Sequence, residues 1–499
     1  MRSRAIKFGR GSHHRSLKDM LGSYFAAHYN MVGSQNFSIT SSPIHSASAV
    51  AAFWDKHDTS VAASLVLGPD GVSVAQKLNA NVNNTQHFMQ LASSPGGGLE
   101  FDFKEVGIDW RLAFIVKAAE YSRIVLRNSC DFSFGSAGFD LAGGNAGYDI
   151  STSGPFTVLG QSITSLGLGW WLCILDIRHT AAEGASFQPQ IYLDNGSGTA
   201  ARSISFAGTG STGVLLWWSS WLPKAAWSLG REVFRDDFNS LSTIDLGDTR
   251  APGFNFYVHN AWPSFPDPSS TIRTGPATQS SDLSISNSLL SLPRKVTTWG
   301  STLCSAAANP SDSSTYVGSA FQPPAFFESR SAWDLGPTFA GGAQSWPAFW
   351  SIAIENLTGS NVNLVENDFF EAPVGNFGGG GEFNMLSVLH HSDTIFPQVG
   401  HVTQNTQEGA GSLNTPFQVS DYHNYGCLVL PAGTAGPTNG LKMSFYDGVM
   451  MFTGIGVWST TGAYSAMNTA HMPILFASGT TPVPADWPYK IDWVRVLKP

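Results

Sequence analysis

The feature that most constrains this chain is its cadence. From about residue 45 short strand-like runs such as "RLAFIVKA", "SRIVLR" and "PQIYLD" alternate with turns such as "DNGSGT" and "PGGG". β-branched and aromatic residues suit a pleated, half-buried surface, while Gly, Asn and Asp supply the backbone conformations of tight turns. Composition agrees, with 52 Gly, 16 Trp and 33 Phe against only 13% charged residues. Long amphipathic stretches of Ala, Glu, Lys and Leu are nearly absent. The expected class is all-β, built as two β-sandwich (jelly-roll) domains.

A length of 499 residues is ample for two or three cores. Residues 1–40 read as a flexible leader and 41–229 as an N-terminal jelly-roll, a carbohydrate-binding or attachment module on this reading. That segment closes on "GVLLWWSSWLPKAAW", where Trp217, Trp218, Trp221 and Trp227 crowd together. At Arg231 the chain restarts with "REVFRDDFNSLSTIDL" and grows richer in Pro and aromatics, which sets a boundary at about 228–231 and a second domain over 230–499. The basic N-terminus leads into no apolar h-region, so it makes a poor secretory signal. No run of about 18 apolar residues occurs, so no membrane span is expected.

A net charge of −9 disfavours nucleic acid as a partner. Sparse charge with many Trp favours a weakly charged ligand that stacks on rings. Cys130, Cys173, Cys304 and Cys427 show no CxxC metal spacing and read as small buried hydrophobes, with a Cys304–Cys427 disulfide as the pairing to check.

Against this apolar background stands "NLVENDFFEAPVG", which puts Glu366, Asp368 and Glu371 into a strand-like run. A buried charge costs several kcal/mol unless it is paired or neutralised. On a strand, residues i and i+2 share a face, so Glu366 and Asp368 point the same way. Glu371 joins them only if one extra residue is inserted, and a β-bulge near Phe369–Phe370 supplies it. Asn367 and one or both phenylalanines then turn to the core. Neighbouring carboxyls drive their pKa values apart, so one is an anion while another holds a proton. Carboxyl pairs about 5–5.5 Å apart are the equipment of retaining glycoside hydrolysis. Read in isolation, the same three acids also fit an exposed polar face.

Six further stretches occur in a fixed order around them. They are "DDFN" (Asp236–Asn239), "FFESRS" (Phe326–Ser331), "WPAFW" (Trp346–Trp350), "YHNY" (Tyr422–Tyr425), "YDG" (Tyr446–Gly448) and "DWVRV" (Asp492–Val496). In this order, with the ExDxxE strand, residues 231–499 resemble glycoside hydrolase family 16, the laminarinase-like enzymes. Residues 45–228 bear a weaker likeness to jelly-roll modules of phage-tail and polysaccharide-associated proteins.

The family resemblance implies a concanavalin A-like sandwich with a concave catalytic cleft, in which Glu366 is nucleophile, Glu371 is general acid and base, and Asp368 tunes the nucleophile. It implies substrate contacts from Trp346 and Trp350 beside the catalytic strand, from His423, from His390 or His391 on the neighbouring strand, and from Arg330. Trp262 and Trp458 fall where the family builds subsites. No cofactor is required for catalysis; a structural calcium on the convex face would fall to Asp237 and Asp492, since oxygen ligands suit that ion. The bulged ExDxxE form is that of laminarinases, agarases and carrageenases. The chain departs from the family in its long lead-in "ENLTGSNVNLVEND", in Asn367, and in the reduced "ILFASG" strand.

The expected function is endo-acting, retaining hydrolysis of a β-glucan, galactan or bacterial exopolysaccharide, at an extracellular or virion-associated location. The competing readings are a non-catalytic lectin or virion adhesin on the same fold, and a transglycosylase.

Overall fold

The computed structural model describes residues 54–69, 74–91, 107–130, 133–180, 188–197, 204–258, 283–292, 302–333, 348–357, 364–371, 385–392, 402–408, 422–446, 449–461, 464–477 and 488–499. The protein is all-β, as the cadence predicts. Among the described residues, the strands before Lys224 form two main sheets and those from Arg231 onward form two more.

In the N-terminal half one sheet runs in the order Phe156–Gly167, Trp170–His179, Asp109–Ala118, Gly213–Pro223, Val74–Ala80 and Thr59–Leu67. The other is centred on Gln188–Asp194, Arg123–Cys130 and Ser133–Asp140. Strict alternation fails on the central strands, where "LAFIV" is buried on both faces. The tryptophan-rich closing strand explains this. Trp218, Trp221 and Trp227 are buried, Trp110 and Trp221 pack with ring centroids 4.8 Å apart, and Arg111 lies over the Trp227 ring. These rings are core rather than exposed platforms for sugar.

In the C-terminal half the inner sheet carries the carboxylates. Its order is Ile244–Asp245, Phe256–Tyr257, Thr302–Cys304, Leu475–Ala477, Ala348–Ile352, Leu364–Glu371, Met385–Ser392 and Val402–Glu408. The opposing sheet has Tyr489–Lys498, Ala325–Trp333, His423–Leu430, Asn439–Tyr446 and Val449–Ser459 in succession. Between them lies an aromatic core. Phe327 stacks on Phe369 at 4.5 Å, Phe370 on Tyr425 at 4.2 Å, and Phe349 on Phe476 at 5.2 Å. Offset rings of this kind contribute about 0.5–1.5 kcal/mol each beyond the area they bury.

The outer face of the opposing sheet is also apolar. Phe326, Leu428, Leu430, Leu441, Met443, Phe445 and Leu497 belong to one continuous buried cluster with the N-terminal half. The Asp109 backbone N–H donates to the Ala435 carbonyl at 2.9 Å across this seam. The two backbones touch there: a Cβ on Gly436 would stand 1.6 Å from the Gly107 carbonyl oxygen, so only glycine fits.

Cys130, Cys173, Cys304 and Cys427 are all buried free thiols. The Cys304–Cys427 disulfide is therefore not formed: Cys304 packs on the far side of the inner sheet with Ile352 and Leu475, whereas Cys427 lies between the sheets. The seven-residue hairpin arm Asp312–Gly318 and its partner Ala306–Asn309 continue from the Cys304 strand. Ser305 anchors the departure, accepting through Oγ from Ile474 N–H and donating to the Ser319 carbonyl.

Candidate active site

The strand Leu364–Glu371 pairs with Ala348–Ile352 on one side and Met385–Ser392 on the other. Against the first, Ile352 faces Glu366, Ser351 faces Asn367 and Trp350 faces Asp368, but Phe349 faces Phe370 and Ala348 faces Glu371. Phe369 is the extra residue. The same irregularity occurs against the second neighbour, where Asp368 faces Val388 and Glu371 faces Leu386. The bulge expected from the ExDxxE spacing is thus present on both edges.

Directly opposed residues of an antiparallel pair share a face. Glu366 and Asp368 therefore belong to the face of Trp350 and Ile352, and Glu371 takes the next position of the same row in the backbone register. Asn367, Phe369 and Phe370 are buried, and the two rings lie in the aromatic core. The bulge is what lets two successive phenylalanines be buried without reversing the face of the residue that follows. Asn367 Nδ2 donates to Met472 Sδ at 3.7 Å.

Asp368 is 1% exposed. Burial pushes its carboxyl up to about 7, against a smaller downward pull from the Lys442 ammonium. A carboxyl in that range holds its proton for much of the time at neutral pH, which relieves repulsion from Glu366 two residues away. Glu366 itself is half-buried. Lys442, from the opposing sheet, donates through Nζ to the Asp368 carbonyl oxygen at 2.7 Å. Sequence reasoning passed over this lysine, although a lysine in the apolar run "GLKMSFY" was its signal.

Trp350 is half-buried and packs on the cluster of Cys304, Ile352, Ile354 and Leu475, with Tyr316 of the hairpin against the same cluster. The short helix Ile354–Leu357 follows it. There Glu355 Oε1 meets His471 Nδ1 at 2.8 Å and also accepts from the His471 backbone N–H. Neither residue was singled out from the sequence. His390 stands directly opposite Glu366 in the register, while His391 stands opposite the core residue Val365. Of the two histidines, the register favours His390. The side chains of Glu371 and His390, and all of Trp346 and Trp262, lie outside the described residues.

The remaining expected contacts are not brought to this row. His423 is buried and faces Ser331 on the opposing sheet. Trp458 is buried in the aromatic core, its Nε1 donating to Asn468 Oδ1 at 2.8 Å. Arg330 belongs to the outer face of the opposing sheet, where it ion-pairs with Asp492 and lies over the Tyr422 ring. Two residues along the same strand, Glu328 pairs with Arg495 in full burial.

Asp237 is likewise held by Arg235 at 2.6 Å. The two aspartates expected to share a calcium ion are each neutralised by an arginine. Among the described residues no group of three or more His, Cys, Asp or Glu side chains gathers as a metal site. They do not fit the ion.

No family description matches this sequence, and no curated protein matches it either. Several solved structures are similar to it. A GH16 protein of the Bacteroides ovatus mixed-linkage glucan PUL, bound to a G4G4G3G product, is 16% identical, matching 53% of this chain and 99% of its own, with a TM-score of 0.34. The endo-β-1,3-glucanase of Pyrococcus furiosus is 16% identical over 54% of this chain and 94% of its own, with a TM-score of 0.33. The β-agarase A of Zobellia galactanivorans is 15% identical over 44% and 76%, with a TM-score of 0.30. At these TM-scores the likeness carries nothing about substrate or residue roles.

Proposed function

We propose that the protein is an endo-acting, retaining glycoside hydrolase that cleaves internal β-glycosidic bonds of a polysaccharide. The observation that carries this reading is the bulged strand, whose register gives Glu366, Asp368 and Glu371 one row on the inner sheet. In the first step the Glu366 carboxylate attacks the anomeric carbon while Glu371 gives its proton to the departing glycosidic oxygen. In the second, Glu371 takes a proton from water, which displaces Glu366 and restores the β anomer. Asp368, whose burial raises its carboxyl towards neutrality, is in this reading the group that tunes the nucleophile as its charge changes. Carboxyls alone supply this chemistry, and no metal enters it. The substrate class is a β-glucan, galactan or bacterial exopolysaccharide, met outside a cell or from a virion.

The test is a reducing-end assay over laminarin, mixed-linkage glucan, agarose, carrageenan and bacterial exopolysaccharides. Glu366→Gln and Glu371→Gln serve as controls, and each should lose at least about a thousandfold in kcat. Turnover that survives either substitution overturns the roles, and an initial α anomer by NMR overturns retention. Binding without turnover by the unaltered chain would point to the lectin reading, and products longer than the substrate to transglycosylation.

A further inference from the structure

At the bulge the even spacing of ladder hydrogen bonds is broken, because three residues of the carboxylate strand, Asp368 to Phe370, face only Trp350 and Phe349. An irregular backbone of this kind keeps one geometry only if its surroundings over-determine it. Two of the constraints are the rings of Phe369 and Phe370, already placed in the aromatic core. The third is polar. Lys442 reaches from Asn439–Tyr446 in the opposing sheet and crosses the interior of the sandwich to donate to the Asp368 carbonyl at 2.7 Å.

Lys442 is 1% exposed. Burying an ammonium costs several kcal/mol unless it is well paired, so an aliphatic residue would be the cheaper filler at this position. Its chain neighbours Leu441 and Met443 face the seam with the N-terminal half, which leaves Lys442 pointing between the sheets. Other groups there register its charge. It pulls down the Asp368 carboxyl and the Cys427 thiol, although burial dominates both and holds Cys427 at about 12. Ser444 bonds the same thiol. On the carboxylate strand Glu366 is two residues away, and the register partners of Asp368 are Trp350 and Val388.

We propose that Lys442 is a positioning residue for the carboxylate row: its ammonium clamps the Asp368 carbonyl from the opposing sheet and holds the bulge in the one geometry that aligns Glu366, Asp368 and Glu371. The proposal deepens the glycosidase reading and rests on it. Lys442 touches no substrate; it acts through the backbone of the residue between the two reacting carboxyls. Its charge also keeps Asp368 from retaining its proton far above neutrality.

The test compares the full chain with Lys442→Met on whichever polysaccharide the unaltered protein cleaves. KM should stay within about twofold while kcat falls about tenfold to a hundredfold, the scale of a small misplacement of reacting groups. The midpoint of the stability change associated with Asp368, read as the difference in urea unfolding between proteins with Asp368 and with Asp368→Asn, should move to higher pH. An unchanged kcat with an unchanged midpoint overturns the proposal, as does a loss of kcat that Lys442→Leu, Lys442→Met and Lys442→Gln share equally with no movement of the midpoint. If Lys442→Met does not fold, Lys442→Leu is judged by the same two criteria, while Lys442→Gln, which keeps a donor for the carbonyl, should hold kcat closer to the unaltered protein. If the unaltered protein cleaves no glycan, the glycosidase reading fails. The urea midpoint then still decides whether Lys442 and Asp368 are coupled.

Discussion

Asp368→Asn should make the protein more stable at pH 8 and leave it nearly unchanged at pH 4. The folded carboxyl sits at about 7 because it is buried, whereas an aspartate in the unfolded chain titrates near 3.9. Between about pH 4 and pH 7 the folded chain keeps a proton that the unfolded chain has already released. Unfolding therefore liberates a proton, and stability falls as pH rises through this window. The difference of roughly three units, at 1.36 kcal/mol each, gives a penalty of about 4 kcal/mol that is complete above pH 7. Asparagine has nearly the same shape and cannot ionise, so it escapes the penalty. Titrating groups that do not interact with Asp368 are common to both proteins and cancel in the comparison, which leaves Asp368 and its electrostatic neighbours, Lys442 among them, to set the difference. Urea unfolding of the two proteins at half-unit steps from pH 4 to pH 8 measures the difference directly. A gap that opens towards high pH in favour of Asp368→Asn is the expected result. A constant gap, or one favouring aspartate at pH 8, would refute the account of Asp368 as a carboxyl held neutral by burial. The substitution should still impair turnover, which would separate a cost in stability from a use in function.

Two further outcomes follow from the outer face of the opposing sheet. Residues 230–499 expressed alone would expose Phe326, Leu428, Leu430, Leu441, Met443, Phe445 and Leu497, each worth roughly 1.5–3 kcal/mol when buried. The fragment should aggregate or bind a hydrophobic dye, and a soluble monomer melting with the full chain would contradict the shared core. Glu328→Ala should cost about 3–5 kcal/mol by leaving Arg495 buried without its partner. Replacing both with apolar residues of similar volume should recover most of that loss in thermal melts, and no recovery would mean that the pair stabilises by more than mutual neutralisation.

How much of this was legible in the sequence depends on how far apart the interacting residues lie in the chain. The bulge was readable because its logic is local: period-two alternation, three acids at offsets of two and three, and two phenylalanines that both need burial. The class of fold was readable for the same reason, since strand and turn chemistry repeat every few residues. Lys442 was not, because the group it serves is 74 residues away on another sheet. The pairing of Arg330 with Asp492 was hidden in the same way. Each resembled a functional residue taken singly, but the fold sets them against each other across 162 residues, and a satisfied ion pair has little left to offer a sugar or a calcium ion. Trp458 and the tryptophans around Trp221 show the limit from the apolar side. A ring that stacks on sugar and one that fills a core have the same composition, and only burial tells them apart.

The position of the carboxylates is therefore a property of both sheets. The inner sheet contributes the bulge, and the opposing one contributes what keeps it in place: Phe327 against Phe369, Tyr425 against Phe370, and Lys442 on the Asp368 carbonyl. These three come from three adjacent strands, Ala325–Trp333, His423–Leu430 and Asn439–Tyr446. The same three strands supply Phe326, Leu428 and Met443 to the seam with the N-terminal half, from the alternate face. Successive residues of each strand thus point one to the site and one to the seam. A substitution at the seam that shifts any of these strands along its axis would move a support of the bulge by the same amount. Met443→Ala is a direct case, because Met443 adjoins Lys442. If the coupling holds, this substitution, remote from the carboxylates, should reduce kcat more than its loss of stability requires, and Lys442→Met should add little to it. Additive effects of the two substitutions would show that the seam and the bulge are mechanically independent.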